Sequence, residues 1–486
     1  MVASGAESLK VGVLCCSLED FLVPNGAQLA LSTAAAAHPK PFRGDRQWRP
    51  AETAISPPLS ATQSASPLPP IAFAMGLAWV FVQFSMVHQV MARLFGTSFY
   101  LLYVVAIPSL FGLIISGAIW RSFRGRTTYY WLAFTIWMAV ATPFSSWRSD
   151  SAHLLFDYVR APLALLFVTA GLAISWGRCR LVLKALGWAC VCNLLSSRLF
   201  ERDFGERGGL DFGSIANPND FAAHLLLVLP FLLWIGLSSK WILLRVAAFL
   251  GVGFGIFLVL STASRGASIA LGADVLFFLW RAPARQKVAL LLLGPIAACV
   301  FLVAVPGTIW DRIRSFSSGP SIEAVESFES RRYLLDKSIE YTLKFPLFGV
   351  GPGQFASYEG GHSAVIGTHG TWHNTHNTFT QVSAECGIPG LLFFVCAIAS
   401  SLYLLNSTHR EARRRPECRD ISTAVFCIML GMVGFCVAIT FLSFAYSYYL
   451  PCMGGLAVAI RAAAQEEFRV RVPAAAPAFP GAHAGA

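Results

Sequence analysis

The sequence predicts an all-α polytopic membrane protein with about twelve transmembrane helices and one large periplasmic loop containing short helices. Three observations predict it. The chain has 486 residues, of which 55% are hydrophobic and only 13% charged, against roughly 25% charged in soluble domains. Apolar runs near the roughly 20 residues that cross a bilayer as helix recur along most of its length. No period-2 alternation suggests the strands of a barrel.

Residues 1–70 differ in kind from the rest. The stretch "HPKPFRGDRQWRPAETAISPPLSATQSASPLPP" is rich in Pro, Ser and Ala and has no apolar period, so a disordered tail is expected. The earlier piece "VGVLCCSLEDFLV" is too short to span and is interrupted by Glu19 and Asp20; Met75 stands as an alternative start. Nine spans are expected within 71–306, near 71–92, 99–120, 128–145, 160–177, 181–197, 220–238, 241–260, 264–281 and 287–306. Three more, near 387–406, 421–441 and 444–462, follow a polar segment at 307–386, and 463–486 forms a tail.

Basic residues fix the orientation. Arg121, Arg124, Arg126, Arg178, Arg180, Lys240, Arg281, Arg285, Lys287, Arg410, Arg413, Arg414, Arg415 and Arg419 fall in connections on one side, which is therefore cytoplasmic. The net charge of +11 is explained by these turns and by anionic lipid headgroups, with no nucleic-acid partner required. The twelve cysteines include no C-x-x-C pair and give neither a disulfide framework nor a zinc module.

On this topology the 307–386 loop lies outside the cytoplasm, on the same face as the polar connection "SSRLFERDFGERGGLDFGSIANPND". Loops of that length are usually functional. Within it "ESRRYLLDKSIEYTLKFP" predicts an amphipathic helix with Arg331 and Arg332 in its first turn, Leu335, Ile339 and Thr342 on one side, and Pro346 at its end. The glycines of "LFGVGPGQF" predict a tight turn. A second short helix follows, opened by His376, with Phe379, Val382, Ser383 and Cys386 on one face and Gly387 and Pro389 as its stop.

The i, i+4, i+7 spacing of His369, His373 and His376 suits zinc only on an unbroken helix. Gly370 and the Trp372–Thr375 stretch argue against one, so no metal and no cofactor are expected, and His362, His369 and His373 are read as solvated loop residues. Asn217, Asn219 and Asp220 sit at the outer start of the sixth span, where Asp220 is expected to cap the helix. Asp274 and His224 lie inside spans with no partner evident in the sequence. Glu385 is expected to accept structural hydrogen bonds.

Four segments together resemble a known family. "HNTFTQVSAECGIPG", "SRRYLLDKSIEYTLKFPLFGVGPGQF", "STASRGASIALG" and "ANPNDFAAHLL", covering roughly residues 210–400, resemble motifs of the O-antigen ligase and polymerase superfamily of bacterial envelope glycosyltransferases. The resemblance implies an inner-membrane, metal-independent, inverting transferase with its active site on the periplasmic side. Its donor would be a glycan linked to undecaprenyl diphosphate, and its acceptor lipid A core, a growing glycan or a protein hydroxyl, with the ligase that serves lipid A core the leading member. It assigns catalytic roles to Arg265, Arg331 and His376, and substrate contacts to Arg332, Asn377, Asn217 and Asp220.

Elementary chemistry agrees with these assignments. Arginine makes permanently charged, bidentate hydrogen bonds to phosphate oxygens, and so neutralises charge growing on a departing diphosphate. An imidazole can take the acceptor proton, or it can orient the acceptor or bind diphosphate. Without the motifs, Arg265 would read as a snorkelling topology residue and Arg331 as half of a surface ion pair with Glu326 or Glu329.

Overall fold

The computed structural model describes residues 68–204, 207–210, 213–215, 217–289, 291–292, 294, 322–365 and 372–470. The expected tail and most of the expected span at 287–306 lie outside them, as does His369. Among the described residues the fold is carried by fifteen α-helices, in order α1 (Leu68–Ser85), α2 (Val87–Phe95), α3 (Leu101–Ile115), α4 (Arg126–Ala141), α5 (Arg148–Tyr158), α6 (Ala164–Leu172), α7 (Trp176–Leu199), α8 (Pro218–Ser238), α9 (Ile242–Ser261), α10 (Arg265–Arg281), α11 (Ile322–Lys344), α12 (Phe355–Val365), α13 (Thr378–Arg413), α14 (Arg419–Ala438) and α15 (Tyr449–Val470). The connection after α7 also holds a two-stranded antiparallel ribbon, β1 (Glu201–Phe204) against β2 (Arg207–Leu210), which the sequence did not announce.

The helical membrane architecture stands, and the count of twelve spans does not follow from it. Among the described residues six segments are long and apolar enough to cross as single helices: Arg148–Leu172, Trp176–Leu199, Pro218–Ser238, Ile242–Ser261, Thr378–Arg413 and Pro416–Phe441. The expected first two spans are broken pairs, bent by 66° between α1 and α2 and by 82° after α3. Left-handed backbone at Met86 makes the first break and at Gly117 the second. The span expected at 160–177 begins earlier, at Arg148, and passes through a π-helical turn at Val159–Leu163 that holds Pro162. A proline cannot donate to the helix ladder, and the wider turn absorbs the loss.

Helix α8 runs through the centre, packed against α7, α9 and α14. It is apolar all round and almost wholly buried, as a central helix should be. Close approach to α14 depends on Gly431, where a Cβ would lie 2.6 Å from the Leu227 carbonyl oxygen. Of the two ionisable residues without evident sequence partners, His224 finds them here. His224 Nε2 lies 2.7 Å from Asn193 Nδ2, and its Nδ1 lies 2.9 Å from the Tyr449 hydroxyl. Asp274 is buried against Gly434 of α14, where a side chain would overlap its carboxylate.

Chain direction sorts the ends of this bundle. Arg178 sits within electrostatic reach of Arg121, and Arg281 within reach of Arg410 and Arg413, so the basic connections meet at common points. Arg281 also donates to Asn406 Oδ1 at 2.6 Å. Arg265 opens α10 and Arg281 closes it. Seventeen helical residues separate those ends by about 25 Å, so Arg265 lies at the end opposite the Arg281 cluster.

The loop helix α11 starts at Ile322, well before the expected start, so Arg331 and Arg332 fall in its middle and not in its first turn. Its buried face is Leu334, Ser338 and Tyr341, while Ile339 is exposed and Leu335 half-buried. The expected face is thus rotated by one residue, about 100°. Tyr341 packs with Val350, Phe355 and Ala384 in a small core of its own, which joins α11, the glycine turn, α12 and the start of α13.

Candidate functional site

The site is built where three helix N-termini come together with a turn. Ser264 caps α10 by accepting from Ala267 N at 3.3 Å, which places Arg265 in the first turn. Asn217 caps α8, accepting from Asn219 N at 2.9 Å, with Pro218 next. Asp220, expected as the cap, sits inside the first helical turn instead, where a carboxylate complements the helix dipole. Asn377, expected as a substrate ligand, caps α13: its Oδ1 accepts from Phe379 N at 2.9 Å and Thr380 N at 3.1 Å.

His376 therefore does not open a helix; it precedes the cap. Its φ of 51° is left-handed, a conformation uncommon for a residue other than glycine. Three hydrogen bonds pin this strained link to the turn after α14. His376 N donates to Ser443 Oγ at 3.0 Å, Thr378 Oγ1 donates to the Leu442 carbonyl at 2.7 Å, and Phe444 N donates back to Thr378 Oγ1 at 2.9 Å.

Leu442, held in this way, is also a wall of a narrow cleft. The cleft, of about 10 Å³, is lined by Asn219, Ser264, Gly266, Ala267, Phe441 and Leu442, with Arg331 closing it from α11. Gly266 is needed there, because a Cβ would fall 2.9 Å from Phe441. Arg265, between two lining residues, is exposed at the rim.

Electrostatics link the three predicted catalytic residues. Burial lowers the Arg331 guanidinium from its ordinary range, and the like charge of Arg265 lowers it further. The His376 imidazole is lowered to about 4, first by burial, then by Arg331, then by His373. His376 is thus a neutral base at pH 7 beside a permanent cation. The structure gathers Arg265, Arg331 and His376 at one end of the bundle, with Arg331 between the other two.

The remaining predicted ligands fare differently. Arg332 is exposed and does not line the cleft, and Asn217 and Asn377 spend their side-chain oxygens on capping. Sequence reasoning missed Ser443 and the Ala438–Leu442 wall, for which no local pattern gives a signal. The capping role of Asn377 was findable, since Asn directly before a helix is a standard start signal.

The support behind the site is Glu385, a buried acceptor as expected. Its carboxylate takes Gly353 N at 3.1 Å, Phe355 N at 3.2 Å and the Tyr446 hydroxyl at 2.6 Å. Val350 N and Gly351 N donate to the carbonyls of Ala384 and Glu385. The "GVGPGQF" turn is therefore clasped to the first turns of α13, and it shapes the loop. Gly387 stops the loop-side part of α13 as expected: its φ of 71° and ψ of −178° are not helical, and a second helix runs on across the kink to Arg413.

Among the described residues no three His, Cys, Asp or Glu side chains group so as to hold a metal ion. The arrangement of cations, helix N-termini and a neutral imidazole suits an anion beside a group that gives up a proton. Residues 250–395 match the family model described as O-Antigen ligase, which supports the superfamily resemblance and takes in Arg265, Arg331 and His376. No curated protein matches the chain.

Proposed function

We propose that this membrane protein, whose segment 250–395 carries the O-antigen ligase family match, transfers a glycan from undecaprenyl diphosphate to an acceptor hydroxyl, as a ligase serving lipid A core. The family match supports an enzyme of the O-antigen ligase and polymerase type. The observation that carries the finer reading is the position of Arg331, within electrostatic reach of both Arg265 and His376, at a cleft lined by the N-termini of α8 and α10 and the C-terminal end of α14.

In the proposed step the acceptor oxygen attacks the anomeric carbon from the face opposite the diphosphate. The carbon–oxygen bond to phosphate breaks, its electron pair stays on the diphosphate, and configuration inverts. His376 takes the acceptor proton. Arg265 and Arg331, with the N-termini of α8 and α10, hold the growing negative charge, the role a divalent ion fills in many soluble transferases. On the positive-inside reading the cleft faces the periplasm, since it lies opposite the Arg281 cluster.

Replacement of His376 or Arg331 by Ala in a stably expressed chain is expected to abolish glycan attachment, seen as loss of the high-mass polysaccharide ladder on a gel. Unchanged attachment and chain length would sink the reading. Deletion then separates the members: long chains left on undecaprenyl diphosphate identify a ligase, and single repeat units a polymerase.

A further inference from the structure

We propose that Trp372 is a stacking platform for one pyranose ring, a sugar subsite four residues before His376. The inference rests on the transfer reading only for which glycan is bound. The Trp372 side chain is 63% exposed. It is nevertheless held in place. Gly360 of α12 is buried beneath it, and a Cβ at Gly360 would overlap the indole, with Trp372 Cγ 2.8 Å away. One ring face thus rests on a helix backbone that leaves no room for a side chain.

The support under the indole is rigid in turn. On α12, Tyr358 and His362 stack with ring centroids 6.0 Å apart and planes 6° from parallel. Tyr358 meets Tyr341 edge-on at 5.0 Å and Phe345 edge-on at 5.8 Å. Glu359, buried between them, accepts the hydroxyls of Tyr333 and Tyr341. Helix α12, on which the indole rests, is thereby tied to α11, the helix that carries Arg331.

A supported, solvated indole suits a sugar. One face of a pyranose presents polarised C–H bonds, which pack on the negative π face of an aromatic ring while the hydroxyls at the edge stay in water. His373 and Asn374, exposed next to Trp372, offer polar groups at that edge. Four residues reach at most about 14 Å, so a ring stacked on Trp372 lies within a short oligosaccharide's length of His376. The ring belongs either to the donor glycan or to the acceptor.

The test uses the full chain in lipid nanodiscs, labelled with 5-fluorotryptophan. Trp372→Phe identifies the Trp372 line among the 13 tryptophans. Methyl glucopyranoside and methyl galactopyranoside are titrated, with sorbitol as the acyclic control. A saturable shift of the Trp372 line with at least one pyranoside and none with sorbitol is expected. A Trp372 line that moves no more than the others, or that responds to exchange of the nanodisc lipid and not to sugar, overturns the proposal.

Two soluble probes then name the source. Glycan released by mild acid from the cell's polyprenyl diphosphate shifts the line if the donor is stacked, and the delipidated acceptor oligosaccharide shifts it if the acceptor is. In cells, Trp372→Ala is expected to slow glycan transfer about tenfold while Trp372→Tyr restores most of the rate. The two readings fail separately. A sugar-dependent shift with normal glycan in His376→Ala cells sinks the transfer and leaves the platform. Glycan lost in His376→Ala cells, with no shift, sinks the platform alone.

Discussion

The backbone N–H of His376 donates to the hydroxyl of Ser443 at 3.0 Å, across 67 residues of chain. This bond holds a left-handed residue in place, and that residue carries the imidazole that feels the charge of Arg331. Ser443→Ala removes the acceptor without touching the imidazole. It is expected to cost about 1 kcal/mol of stability and to slow transfer by about an order of magnitude through misplacement of His376. A transfer rate equal to wild type would show that the bond does not position the base.

Glycine at position 376 separates strain from function. Left-handed backbone costs a non-glycine residue roughly 1–2 kcal/mol, which glycine escapes while giving back about 0.5–1 kcal/mol in unfolded-state entropy. His376→Gly is expected to melt no lower than His376→Ala, and both are expected to be inactive. Thermal unfolding of the two variants in the same detergent decides it.

The pH dependence follows from the low imidazole. The folded His376 titrates at about 4, below its ordinary 6.5, so the unfolded chain binds more protons between those values. Stability from this group is therefore full above about 6.5 and is lost as pH falls toward 4. A base must be unprotonated, so the acid limb of kcat/KM is expected near 4 and not near 6.5. Arg331→Gln removes a neighbouring positive charge, so the His376 ring should titrate at higher pH in that variant, followed by NMR of the imidazole without need of activity. An unmoved titration would remove Arg331 from the neighbourhood of the base.

Glu385 carries a heavier structural load. Glu385→Ala leaves the Gly353 and Phe355 N–H groups and the Tyr446 hydroxyl without an acceptor. At about 1–3 kcal/mol for each orphaned group, a loss of at least roughly 3 kcal/mol is expected. Glu385→Gln keeps one acceptor oxygen and should lose about half as much. Limited proteolysis within 345–355 would report the released turn.

Gly387→Ala tests the kink. At φ 71° an added Cβ would overlap the Leu347 carbonyl and lie 2.7 Å from the Pro346 oxygen. The variant is expected to lose about 2 kcal/mol or more, and to lift the loop end of α13 away from Pro346. Loss of the Ile388 N to Pro346 O bond, read as faster amide exchange at Ile388, is the accompanying sign.

Much of this protein was legible in its letters, unevenly. Composition and apolar run length dictate helices in a membrane, and arginines of separate connections come close, Arg178 to Arg121 and Arg281 to Arg410 and Arg413. The breaks at Met86 and Gly117 were not legible, because a left-handed Met or a glycine in an apolar run looks the same as one in a straight helix. The face of α11 was misread by one residue. Its buried face includes a serine and a tyrosine, Ser338 and Tyr341, the latter donating to Glu359, and apolar periodicity is blind to those.

In the site, Arg265, Arg331 and His376 came from motif resemblance. Ser443 and the partners of Glu385 depend on contacts between segments at least 30 residues apart, which no local pattern encodes.

The crowding of Arg331 by Arg265 has a kinetic side. Two like charges at one rim repel while the cleft is empty, and an incoming anion relieves that repulsion as it binds. For the transfer proposed above, the last occupant is the bare carrier diphosphate, which bears more charge than the donor did. The cleft is then a trap for its own spent carrier, so turnover is expected to be limited by the departure of the lipid and to slow as that lipid accumulates in the membrane.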